Sequence, residues 1–244
     1  MELIVFLSCG AVAGLVAFVR DRKRTDELED KIREIRAVLA AAFPYRLPTH
    51  ADADLVALLA PIDMSSAAQD GMTPLGDLIL EAPGRQPMSI MRAFTDAGTT
   101  VLYVSAYPQH PGKLYLLLES YARDAEYITH VGNPVRAQAP FSHHQTVSRD
   151  LPLREILARH REFVRASHLI ARGALAPTAS LDELMRELRA NHALFVRWRE
   201  SLSPEELLEV DLKTVLGEQY AVHGPGWKRR LALRLPQATL RKKR

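Results

Sequence analysis

Cysteine is nearly absent. Cys9 is the only one in 244 residues, so no disulfide can form within the chain and no cysteine pair is present to hold zinc. Several catalytic and nucleotide-binding spacings are missing as well. There is no Gly-x-x-x-x-Gly-Lys-Ser/Thr, no Gly-x-Gly-x-x-Gly after a strand, no Gly-x-Ser-x-Gly elbow and no His-Glu-x-x-His. This removes the usual signatures of P-loop phosphate chemistry, dinucleotide binding, serine-hydrolase elbows and zinc-protease helices. No residue set points to a bound cofactor or metal. Neither a fixed-period repeat nor a low-complexity tract occurs, and a composition 47% apolar and 25% charged is that of a globular chain.

Long hydrophobic runs are also absent, with one exception. Residues 3–19, LIVFLSCGAVAGLVAFV, carry no charge, and the run closes on Arg20, Asp21, Arg22, Lys23 and Arg24. A spanning helix needs about 17 to 25 apolar residues, so this run is just long enough, with flanking Arg and Lys side chains reaching for the interface. It reads as a single transmembrane helix in the lipid bilayer over residues 1–19. Arg20, Arg22, Lys23 and Arg24 lie against the membrane surface. Positive charge stays on the cytoplasmic side, which places the bulk of the chain in the cytoplasm, at the cell (inner) membrane. Gly10 and Gly14 form a small-xxx-small spacing that permits a homodimer through the anchor helix. The rival reading is an exported domain with a signal segment. Ala11-Val12-Ala13 has the form of a cleavage site, but there is no basic region before it and the apolar residues continue past it.

Charge is unevenly spread. The net charge is +3, yet residues 221–244 hold eight basic residues and no acid, which leaves the middle of the chain mildly acidic. This distribution argues against a nucleic-acid-binding domain. In the tail, Trp227 precedes Lys228, Arg229 and Arg230, a combination suited to an anionic lipid interface. A solvated end and an edge strand through the alternating leucines are the other readings of the same residues.

Between anchor and tail the pattern is mixed. Residues 20–47 read as a juxtamembrane helix and linker, with Leu28, Ile32, Ile35 and Leu39 spaced as an a/d seam that either pairs with another helix or docks on the domain. Residues 48–220 read as a cytoplasmic α+β domain, an antiparallel β-meander of four to five strands followed by a helical C-terminal half. Ser89–Thr95 and residues 99–107 flank Asp96-Ala97-Gly98, a hairpin signal. Residues 113–121 and 126–131 flank Arg123-Asp124 as a second hairpin, and residues 141–149 suggest a fifth strand. Residues 75–80 fit strand or helix equally. Two capping boxes, Ser180 with Glu183 and Ser203 with Glu206, open helices. Strands followed by helices indicate α+β rather than a parallel βαβ sheet.

The candidate catalytic residues are histidines. His160 falls on or beside the apolar stripe of its helix, where a partly buried imidazole serves as base or ligand, or more often as a core residue with a satisfied hydrogen bond. His143 and His144 are adjacent, so on a strand they point to opposite faces and chelate poorly. The leading functional reading is a membrane-anchored binding or scaffolding domain recognising an unknown protein partner or ligand. The alternative is a membrane-tethered enzyme, hydrolytic in type, built around these histidines.

Overall fold

The structure is a computed structural model that describes residues 23–33, 36, 43–60, 64–81, 87–96, 98–132, 139–168, 174–216, 227–228 and 231. The anchor at 1–19, with Arg20, Arg22, Arg229 and Arg230, lies outside them. Among the described residues no helix is long and apolar enough to cross a membrane. The chain divides into two compact units, Val38–Ser201 and the described residues of Met1–Ala37 with Leu202–Arg244.

The first unit is α+β. Its seven strands are β1 (Tyr45–Arg46), β2 (Thr73–Leu80), β3 (Ser89–Thr95), β4 (Val101–Ala106), β5 (Leu114–Ala122), β6 (Ala125–Val131) and β7 (Ser142–Val147), and they lie in sequence order. The expected meander of four to five strands is therefore too short, and its last strand is misdirected. Both expected hairpins form, as β3–β4 and β5–β6, but β7 runs parallel to β6, with Glu126 opposite Ser142 and Val131 opposite Val147. A hairpin through Gly132 would have set Ser142 beside Val131. Instead residues 132–141 return the chain to the start of β6. The distance is about 17 Å at strand rise, and ten residues reach about 35 Å when extended, so the short connection suffices.

Of two further strands, β1 escaped the sequence reading and β2 was left as strand or helix over residues 75–80, because each breaks a strand rule. β1 is two residues long. Arg46 fastens it, bonding both carboxylate oxygens of Asp52 (2.7 and 2.8 Å) and both of Glu81 (2.7 and 2.9 Å). β2 contains Pro74 and Gly76, with a register irregularity between them. Gly76 is there because a helix that opens at Leu181 starts on top of it. A Cβ at that position would meet Leu181 Cδ2 at 3.3 Å.

Helices cover both faces of the sheet. On one face, α4 (Leu153–His168) contributes Ile156 and Leu157 to a core with Phe94, Leu102, Val104, Leu118, Val131 and Val147. The short helices α2 (Ala53–Ala57) and α3 (Met64–Gln69) extend that layer, with Leu55 and Val56 beside Ile79 and Ile90, and Ala67 against the α4 core. On the other face, Leu184 and Leu188 of α5 (Leu181–Ser201) pack against Leu78, Ala93, Val101, Tyr103 and Tyr121. A sheet covered twice loses the alternation of an antiparallel sheet with one wet face. This is why all six residues of β4 are buried and why residues 114–118 read as continuous apolar sequence.

The Ser180–Glu183 box closes reciprocally at the start of α5 (3.2 Å in each direction), and Ser203–Glu206 does so at α6 (Pro204–Leu216) (2.8 and 3.3 Å). In the second unit α1 (residues 23–33) buries Leu28 and Ile32 against Leu208 and Leu212 of α6 and against Leu231. The seam thus docks within its own unit; Ile35 and Leu39 lie outside the described residues. Arg36 bonds the fully buried Asp211 at 2.7 Å.

Gly132 ends β6 with φ +71, and a Cβ there would sit 2.9 Å from Arg149 Cβ. Gly112 has φ +77 and open space around it. Substituting alanine at Gly112 is expected to cost only the left-handed backbone penalty, about 1 kcal/mol. At Gly132 alanine adds a clash with a backbone-proximal atom, and the expected loss is about 2 to 3 kcal/mol. Denaturant midpoints of the two variants check the ordering.

Candidate functional site

β5 sends Tyr115, Leu117, Glu119 and Tyr121 to the face under α5, because strand side chains alternate. Register completes the set: Tyr121 lies opposite Glu126, Leu117 opposite His130, and Glu126 opposite Ser142. Two carboxyl groups therefore share one sheet face with tyrosines and histidines.

Hydrogen bonds organise them in two branches. Tyr121 Oη donates to Glu119, and Tyr103 Oη lies 2.9 Å from Tyr121 Oη. Glu126 accepts from Ser142 Oγ on one oxygen and from Asn191 Nδ2 on the other, which ties α5 to the sheet. Glu126 is 7% exposed, whereas Glu119 keeps part of its surface open. Burial is nonetheless the largest influence on Glu119. Together with the neighbouring Glu126 it pushes this acid up to about 8, against a smaller opposing effect of the Tyr121 bond. Burial raises Glu126 also, offset by Ser142 and Asn191. The Tyr103 and Tyr121 phenols are pushed up, first by burial, and Tyr45 is raised by burial and then by Glu119 and Glu126. The environment thus favours the protonated form of Glu119, an acid set among phenols.

On the same face His130 Nε2 and His144 Nδ1 meet at 2.9 Å with ring planes 17° apart. Burial lowers both imidazoles; His144 is pushed down to about 4, with His130 and His143 adding to the effect. His144 Nε2 is buried and has no hydrogen-bond partner among the described residues.

No family model, curated relative or solved structure matches the chain.

The candidates from sequence are dispersed. His160 is completely buried in α4 on the opposite face, with Nε2 at 3.0 Å from Ser120 Oγ and Nδ1 at 2.8 Å from Thr129 Oγ1. Burial pushes it down to about 4. The acids near it in sequence lie elsewhere: Glu162 is exposed, and Asp150 is bonded to Ser148. His143 turns to the α4 face and lies parallel to the Tyr127 ring, centroids 5.2 Å apart, so His143 and His144 do point to opposite faces. Of the membrane-surface candidates, Lys23 and Arg24 are exposed on α1. Trp227 packs against the α1–α6 core, and Lys228 Nζ bonds Glu209 at 2.9 Å.

Glu119, Glu126, His130 and Asn191 were not singled out from sequence. One signal was available: Glu119 interrupts the apolar run of β5, and a lone acid inside a central strand must be paired or protonated.

Proposed function

We propose that the chain is a membrane-anchored cytoplasmic binding protein whose recognition surface is the sheet face around Glu119. The supporting observation is a partly open carboxyl group, set beside the buried Glu126 and bonded by Tyr121, whose burial favours the neutral acid. Such a group donates a hydrogen bond without presenting charge, and the half-buried Leu117 next to it offers apolar surface. Together they suit a neutral ligand or partner group with a carbonyl or similar acceptor. The apolar run at 3–19 and the basic cluster after it support the anchor and its orientation. Two of the three candidate histidines favour binding over hydrolysis. Both nitrogens of His160 are bonded to hydroxyls, and His143 is stacked on Tyr127.

Two measurements test this. The full chain carrying a C-terminal reporter that works only in the cytoplasm is expected to give an active reporter in a carbonate-resistant membrane pellet. A silent reporter on a shortened, soluble product overturns the anchor. A thermal-shift screen of neutral amides and ketones on the detergent-solubilised full chain is expected to find compounds that stabilise the wild type and not Glu119→Leu. Turnover of a chromogenic ester, lost in His144→Ala, would replace the binding reading by the hydrolytic one.

A further inference from the structure

We infer that the ligand of the Glu119 face is a neutral saccharide carrying an acetamido group, an N-acetylhexosamine. The inference rests on the recognition reading above and adds the chemical class of the ligand. Its ground is the shape and lining of the sheet face. Tyr45, on β1, and Leu117, on β5, pack against one cluster with Tyr103 and Tyr121. Three strands separate β1 from β5, about 19 Å across a flat sheet. Glu119, Glu126 and Tyr107 nonetheless all act on the Tyr45 phenol, so the sheet curls toward α5. The face is concave, the form that small-molecule sites take.

Its lining combines aromatic surface with open polar groups. Tyr115, Leu117 and Glu119 reach this face at alternate positions of β5, and all three are partly buried. The Tyr107 ring stands nearly perpendicular to that of Tyr115, at 86° with centroids 5.0 Å apart, and the pair makes an aromatic corner. Tyr121 holds Glu119 through Oε2. Among the described residues Glu119 Oε1 and the hydroxyls of Tyr45 and Tyr115 bond nothing, and the unpartnered side-chain atoms sealed from solvent are Thr95 Oγ1 and His144 Nε2. Oε1 and the two hydroxyls are therefore open.

Ligand classes meet these groups differently. No Lys or Arg acts on Glu119 or Glu126, so an anion would face acids and phenols alone. A cation would need Glu119 ionised, which burial opposes. An apolar ligand would cover the open polar groups without pairing them. A simple amide pairs with Glu119 and leaves the phenols. A pyranose ring has an apolar C–H face for the Tyr107–Tyr115 corner and hydroxyls around its edge. A hydroxyl donates and accepts, so it pairs with a phenol and with a carboxyl group in either protonation state. The acetamido carbonyl accepts from the acid form of Glu119, and its methyl group suits Leu117.

The test is calorimetric titration of N-acetylglucosamine and of its β-linked dimer into the full chain, solubilised in a detergent without a sugar headgroup. One saccharide per chain is expected, with glucose, which lacks the acetamido group, binding about tenfold more weakly. Tyr45→Phe removes one hydroxyl and should lower the affinity about fivefold, and Tyr115→Leu removes the ring face and should lower it about tenfold. His143→Gln, altered on the α4 face, should bind as the wild type does. Circular dichroism melts verify that each variant is folded, and Tyr45→Phe, which keeps its ring, carries the test should Tyr115→Leu not fold. Absence of binding at about 10 mM of either saccharide overturns the proposal, as does undiminished binding in folded Tyr45→Phe or glucose binding as tight as that of N-acetylglucosamine. Stabilisation by simple amides in the Glu119 screen without saccharide binding removes the saccharide and leaves the recognition reading, whereas silence in both removes both.

Discussion

His160→Leu is expected to destabilise the Val38–Ser201 unit by about 2 to 4 kcal/mol, and His160→Ala by about 4 to 5 kcal/mol. Leucine fills much of the imidazole volume, so its cost is chiefly polar. Ser120 is 1% exposed and Thr129 fully buried, and both hydroxyls bond the ring. Thr129 Oγ1 keeps a second bond, from Gln145 Nε2 at 2.8 Å, whereas among the described residues Ser120 Oγ bonds His160. An orphaned buried hydroxyl costs about 1 to 3 kcal/mol. Alanine adds a cavity beneath α4 where Ile156 and Leu157 pack. Denaturation of the full chain followed by far-ultraviolet circular dichroism measures both. A second readout separates this role from catalysis. His160 is held near 4 rather than 6.5, so between those values the unfolded chain binds the extra proton, and wild-type stability falls as pH drops through that window. His160→Leu should flatten that acid-side slope. A variant of unchanged stability and slope would mean that the buried ring contributes nothing to the fold.

The contrast between His160 and Glu119 shows where sequence was informative. Local features could be read. The Asp96-Ala97-Gly98 turn sets β3 against β4, Arg123-Asp124 sets β5 against β6, and each serine–glutamate pair three residues apart closes a capping box. These devices act over a few residues, so their signal lies in a short window. What failed was non-local. The direction of β7 depends on whether residues 132–141 turn or return, and Gly132-Asn133-Pro134 suits either. β2 was ambiguous because Gly76 serves Leu181, more than a hundred residues away, and not its own strand. The acid cluster draws on β4, β5, β6, β7 and α5, and no window contains both Glu119 and Asn191. His160 could be placed in the helix stripe by its spacing from Leu153 and Leu157. Its two hydroxyl partners, on β5 and β6, could not be placed without the sheet register.

Glu119→Gln should flatten a decline in stability that runs from about pH 4.5 to about pH 8, opposite in sign to the His160 slope. In the folded chain the acid is held up to about 8, against 4.5 ordinarily, by burial and by Glu126. Between these values the folded state binds the proton that the unfolded state has released, so the favourable contribution is complete below 4.5 and is lost as pH rises through about 8. Glutamine keeps an acceptor for Tyr121 and removes the titration. The variant is therefore expected to lose less stability than the wild type over that window, by roughly 2 kcal/mol at its upper end once the partial openness of Glu119 to solvent is discounted. Glu126→Gln provides the complementary result. With its neighbour neutral, Glu119 should titrate at lower pH, so the decline that starts near pH 4.5 should end earlier and be smaller. Asn191 and Ser142 both donate to Glu126, so that variant also loosens α5, and amide exchange along Leu181–Ser201 should quicken more than in Glu119→Gln. If both variants follow the wild-type pH profile, Glu119 is an ordinary surface carboxylate and the recognition surface proposed around it fails with it. If only Glu119→Gln flattens the profile, the proton resides on Glu119 alone and burial, rather than the second carboxyl, holds it there.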